Sequence, residues 1–139
     1  QGVLIIGLGT FCAVQEPLRL GPDHVLMVRR PVFQLAKNPA WQGWLKRPKV
    51  TLPENVPIEL LDFQHLSRVT SLPRAVLEDC VDETVLLFSS HLKQHENVSF
   101  VFKDIGVLAR KGNVARMKFL GSCIRQLEST ASLVAALRS

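Results

Sequence analysis

The sequence predicts an α+β protein. Three observations carry that prediction: two stretches of strand-forming sequence, each divided by glycine and turn residues into three short runs; apolar residues at helical spacing between them; and the same order of elements in both β stretches. With 139 residues, 47% apolar and 21% charged, the composition is that of one globular domain or two small ones.

The first β stretch opens with Val3-Leu4-Ile5-Ile6, an apolar run without helical spacing that Gly7-Leu8-Gly9 stops, so it reads as a buried strand. Thr10 to Val14 is strand-forming again, and the glycines between the two runs re-aim the chain. Pro17 and Gly21-Pro22-Asp23 predict a turn from Gln15 to Asp23. A third strand runs from His24 to Val28, with Arg29-Arg30-Pro31 as its end. Asn38-Pro39 then supplies a cap and a first-turn proline for a short helix carrying Trp41, Trp44 and Leu45.

Three prolines between Lys46 and Pro57 predict a linker. Asp62 caps a short helix from Phe63 to Val69, and Ser71-Leu72-Pro73 turns the chain into a second one. Val76, Cys80, Thr84, Phe88 and Leu92, with Leu77, Val81, Val85 and Leu87, recur at helical spacing and give about five turns, to Gln94. Three strands follow: Val98–Phe102, Ile105–Arg110 and Val114–Phe119, the last two joined by Lys111-Gly112-Asn113. In the third, Ala115, Met117 and Phe119 alternate with Arg116 and Lys118, the period of a half-buried strand. A helical segment, Leu120 to Leu137, closes the chain.

Side by side, the β stretches read as one repeat: strand, glycine-marked strand, hairpin turn, strand with outward basic residues, helix. A helix pair precedes the second copy, and residue 1 is already at the first strand of the first. The expectation is therefore two tandem copies, the first truncated of its helices: residues 1–45, a linker over 46–58, and a second unit over 59–139.

Helix–turn–helix, a three-stranded antiparallel meander and a closing helix form the layout of the bacterial HU/IHF histone-like fold, which this sequence resembles. Gly7-Leu8-Gly9-Thr10-Phe11 is similar to the glycine–aromatic–glycine–polar–phenylalanine motif on which those sheets turn. Two copies in tandem, with Arg30-Pro31-Val32-Phe33 closing the first sheet, resemble the eukaryotic HU pair of the coiled-coil domain-containing protein 81 family. Glu83-Thr84-Val85-Leu86-Leu87, Phe100 to Leu108 around Gly106, and Met117-Lys118-Phe119 fit the same pattern. The resemblance implies structural roles for Gly7, Gly9, Phe11, Pro31, Phe33 and Gly106. It implies a non-catalytic protein-interaction module of a centrosomal or cytoskeletal scaffold, in the cytoplasm, able to pair within the chain or as a homodimer. Bacterial HU proteins bend DNA with long β-arms tipped by proline. Both hairpins here read as too short for such arms, and Pro22 lacks basic surroundings, so intercalative bending is not expected.

Charge raises the alternative. Residues 1–50 carry seven basic and two acidic side chains, whereas 51–139 carry ten of each, so the whole formal charge of +5 lies in the first third. A sequence-tolerant DNA-binding HU-type domain would hold phosphates with Arg29, Arg30, Arg116 and Lys118; Arg110 and Lys111 complete the candidate partner or phosphate contacts, at matching places in the two sheets. No catalytic, cofactor or metal site is expected. Gly7-x-Gly9 lacks the third glycine of a dinucleotide turn, with Cys at position 12 and Pro17 where a helix should run. His91 and His95 lack a third ligand. Cys80 and Cys123 lie on apolar stripes and read as core residues. Trp41 and Trp44, three apart on one helical face, read as core or as the interface between copies. The odd count of three cysteines, the absence of a signal peptide, and no apolar run near the ~18 residues of a membrane span fit an intracellular, non-membrane protein.

Overall fold

The computed structural model describes residues 2–127 and contains two antiparallel meanders with a helix pair between them in sequence. β1 (Gly2–Ile5), β2 (Gly9–Arg19) and β3 (Val25–Leu35) form the first, and β5 (Asn97–Phe102), β6 (Gly106–Lys111) and β7 (Val114–Phe119) the second. Between them lie a 3₁₀ turn at Pro39–Trp41, β4 (Ile58–Leu60), α1 (Phe63–Thr70) and α2 (Arg74–Gln94). Residues 121–127 are helical; the rest of the predicted closing helix falls outside the described residues. None of the described helices is long and apolar enough to cross a membrane.

The expected caps form. The Asn38 carboxamide accepts from the Ala40 amide at 3.0 Å, and the Asp62 carboxylate accepts from the His65 amide at 2.9 Å. Ser71, at φ 59°, ends α1 in the left-handed region and allows α2 to start three residues later.

Both meanders begin with the same turn. Leu8 donates to the Ile5 carbonyl and Ile105 to that of Phe102, each at 3.0 Å, with Gly7 (φ 85°) and Asp104 (φ 64°) at the position that needs positive φ. The residue that follows each turn, Gly9 or Gly106, is glycine for want of space. A Cβ on Gly9 would lie 2.4 Å from the Gln34 carbonyl oxygen, and one on Gly106 would lie 2.5 Å from that of Lys118.

Two sequence expectations are corrected. β2 does not stop before Pro17, and β3 does not stop at Arg29-Arg30-Pro31: they pair without interruption from Gly9–Leu35 to Arg19–Val25. β1 backs β2 only as far as Cys12, so the outer half of β2 has one neighbour, and proline is tolerated at such edges. Seven residue pairs, Ala13–Pro31 to Arg19–Val25, thus project as a two-stranded ribbon about 24 Å long at ~3.4 Å per residue. The expectation of a hairpin too short to form an arm is overturned for the first meander. It holds for the second, where Gly112-Asn113 alone join the paired residues Lys111 and Val114.

β4 is the other departure. Ile58, Glu59 and Leu60 lie parallel to Gly2, Val3 and Leu4, so a segment at the predicted linker boundary becomes the edge strand of the first sheet, in the order β3-β2-β1-β4. At the other end of the connection, Lys46 bridges to Val114 and its amide donates to the Asn113 carbonyl at 2.6 Å.

One core joins these parts. Leu8, Phe33 and Leu35 from the first sheet, Trp41 and Leu45 after it, Phe88 and Leu92 from α2, and Leu108 and Ala115 from the second sheet form a single buried cluster. Trp41 packs edge-on against Phe88, with ring centroids 5.9 Å apart, and its indole N–H donates to Ser89 Oγ at 3.0 Å. Phe11 meets Phe33 at 4.7 Å and Phe102 at 5.5 Å. α2 touches the core through its C-terminal half only; Cys80 is exposed on it and Cys123 is half-buried. Both cysteines were expected in the core. Cys80 fails because the apolar spacing continues into the N-terminal half of α2, where no residue is buried: the helix buries only Phe88 and Leu92, and Val76 and Leu87 are exposed as well.

Candidate protein-docking surface

The ribbon continues the β2–β3 pairing beyond Cys12, the last residue that β1 backs. In a two-stranded ribbon neither face is closed by a sheet partner, and directly opposed residues share a face. One face carries Pro17–Met27 and Arg19–Val25, the other Glu16–Val28 and Leu18–Leu26. Leu18, Val25 and Met27 are exposed, as is Leu20 in the tip at 66%. The tip, Gly21 to Asp23 with Pro22, is closed by the Leu20 amide donating to the His24 carbonyl at 2.9 Å.

Charge on the ribbon nearly cancels. Between Ala13 and Pro31 three arginines (Arg19, Arg29, Arg30) face two acids (Glu16, Asp23). Arg30 Nη1 pairs with Glu16 Oε2 at 2.8 Å across the strands. Both side chains are about half exposed, so the pair stabilises little and mainly neutralises the ribbon.

The candidate cations do not form one site. Arg29 and Arg30 stand on the ribbon, opposite Gln15 and Val14. Arg116 and Lys118 lie exposed on β7, and Lys111 is exposed at the end of β6. Nor do they match between sheets. With Gly9 aligned to Gly106, Arg30 falls opposite the place of Val114, and Arg116 at that of Val32.

Arg110 is not a surface residue. It is 7% exposed; its Nη1 donates to the Leu92 carbonyl, its Nε donates to that of Gly112 at 2.7 Å, and its guanidinium lies 4.8 Å from the Trp44 ring centroid. It ties the end of α2 to the second hairpin. β6 alternation held the signal: Gly106, Leu108 and Arg110 share the buried face.

The residues singled out by resemblance have structural places. Gly7 makes the left-handed turn, Gly9 and Gly106 permit close strand approach, and Phe11 and Phe33 pack together. Pro31 sits opposite Ala13 on edge strand β3. His91 and His95 stack on each other with centroids 5.7 Å apart, and His91 also meets the Phe100 ring. Among the described residues no group of three or more His, Cys, Asp or Glu side chains is placed to hold a metal ion.

A comparison with known families bears on residues 57–131: they match the family model described as CCDC81 eukaryotic HU domain 2, over half the chain.

Proposed function

We propose that this chain, which belongs to the CCDC81 eukaryotic HU-domain family, works as a non-catalytic protein-docking module of a centrosomal or cytoskeletal scaffold. The ribbon carries this reading. Its exposed side chains include the apolar Leu18, Leu20, Val25 and Met27 beside the cations Arg19 and Arg30, and burying such an apolar side chain stabilises a complex by about 1.5–3 kcal/mol. A phosphate-reading arm needs unpaired positive charge, and Arg30 is held by Glu16.

In the same reading residues 2–45 are the strand part of a first HU-type unit, in tandem with the second. The shared turn, Gly9 and Gly106, and one further bond support it: the Ala36 amide donates to the Leu8 carbonyl at 3.0 Å, as that of Leu120 does to Ile105 at 2.8 Å.

The test pairs localisation with a solution control. The tagged chain is expected to concentrate at the centrosome or cytoskeleton in animal cells. The Leu18→Asp/Met27→Asp variant, altered only on the ribbon, is expected to be diffuse. In fluorescence anisotropy a 30-base-pair duplex is expected not to bind at ~50 mM salt, where phosphate contacts are strong. A diffuse wild type, or saturable duplex binding lost on adding salt, overturns the proposal, the latter in favour of the DNA-binding reading.

A further inference from the structure

Two long stretches of the sequence hold no acid. Residues 24–53 carry six bases and no Asp or Glu, and residues 105–127 carry five bases and none. The fold joins these stretches where Lys46 bridges in parallel to Val114 and its amide donates to the Asn113 carbonyl at 2.6 Å. Past that bridge the connection leaves β7: the Nε of Arg47 donates to the Leu35 carbonyl at 3.1 Å, in the first sheet.

β7 is an outer strand of its sheet, so from Arg116 to Phe119 it has no strand neighbour beyond β6 among the described residues. In an antiparallel pair alternate residues turn amide and carbonyl away from their neighbour, which leaves a row of donors and acceptors along this edge. Lys111 stands across from Val114, Ala109 from Arg116 and Val107 from Lys118. The three cations therefore share the face turned away from buried Leu108 and Ala115. All three are exposed, as is Lys46, and none of the four is held in an ion pair among the described residues.

Cations on an edge strand also keep edges apart, but this sheet does not guard its edges alike. β5, the opposite edge, carries no charge from Asn97 to Phe102 and leaves Val101 76% exposed. A second copy pairing edge to edge at β7 would set Arg116 and Lys118 against the same cations, which disfavours it. A phosphate backbone offers acceptors only and leaves the edge carbonyls unpaired. An extended polypeptide with acids at alternate positions satisfies both the edge and the cations.

We propose that the open edge of β7 docks an extended acidic segment of a partner protein. The segment adds as a strand beside Arg116–Phe119. Its main-chain bonds give affinity, and carboxylates at alternate positions, on the face of Arg116 and Lys118, give register and choice of partner. Exposed ion pairs alone contribute little, so both parts are required. The site lies on the second sheet, uses no residue of the ribbon, and goes beyond the docking proposed for it.

The test adds a fluorescein-labelled peptide of alternating Glu and Thr to the full chain, at ~50 mM salt, where exposed charges are weakly screened. The expected result is saturable 1:1 binding by anisotropy, with slower amide exchange at Ala115–Phe119. A peptide of alternating Glu and Pro has the same charge but cannot pair as a strand, and is expected to bind at least tenfold more weakly. Arg116→Glu/Lys118→Glu is expected to weaken binding at least tenfold; Arg116→Gln/Lys118→Gln, expected to weaken it in the same direction, serves if the first variant does not fold. Leu18→Asp/Met27→Asp is expected to bind the peptide normally, so failure of the ribbon and failure of this site are told apart. No saturable binding overturns the proposal, as does equal binding of the proline peptide, which would show charge attraction without strand addition. Binding unchanged in both β7 variants places the peptide elsewhere and overturns it. Displacement of the peptide by a 30-base-pair duplex assigns the strip to nucleic acid and also overturns it.

Discussion

A single guanidinium does more for this fold than the exposed cations of β7. Arg110 satisfies two backbone carbonyls and stacks on Trp44, so its removal leaves the buried Leu92 carbonyl unpaired as well as a gap. Arg110→Ala is expected to destabilise the chain by about 2–3 kcal/mol, read from the urea midpoint. Arg110→Lys is expected to recover only part, because one ammonium cannot reproduce the fork. Arg116→Ala, on the exposed face of β7, is expected to stay within about 0.5 kcal/mol. Gly9 and Gly106 fail for a different reason. At either one a methyl group meets a carbonyl oxygen within 2.5 Å, so Gly9→Ala and Gly106→Ala are each expected to cost about 2 kcal/mol or more in the same assay. The two glycines were marked by sequence because nothing else punctuates those strands. Arg110 was misplaced because a charged side chain outweighed its position in the alternation.

Among the elements, those with local causes were legible. The helices declare themselves by Asp62, by the Ser71–Pro73 turn and by the 3.6-residue spacing of Leu77, Val81, Val85, Phe88 and Leu92. The second meander declares itself by Gly106 and the Gly112-Asn113 turn. The ribbon did not, because Pro17 and Pro31 stop a central strand but not an edge, and only tertiary structure tells these apart. β4 carries no local signal: its three residues become a strand only because β1, more than fifty residues earlier, offers an edge. Since the ribbon has two strands and the sheet beneath it four, their protection should differ. Amides of Gln15–Arg19 are expected to exchange at least tenfold faster than those of Thr10–Cys12 by hydrogen-exchange mass spectrometry.

At the scale of the whole molecule, the two halves are not independent bodies, since Trp41 after the first sheet closes over Phe88 of α2. Trp41→Ala is expected to destabilise by about 3–5 kcal/mol. In the wild type, far-UV circular dichroism and tryptophan fluorescence are expected to report one coincident urea transition; two separated transitions would show that the shared core does not couple the halves. This coupling was only half legible in the sequence. The repeat was visible, but not that Leu8 and Leu35 of one sheet lie in a common core with Leu108 and Ala115 of the other. The common core also sets an order of events in time. β3 ends at Leu35 and α2 at Gln94, so 59 further residues must be synthesised before the helix that covers Leu8 and Phe33 is complete. At about 5–20 residues per second the ribosome takes roughly 3–12 s over that stretch. Throughout it the nascent first sheet holds its apolar face open to water, and to whatever chaperone reaches it first.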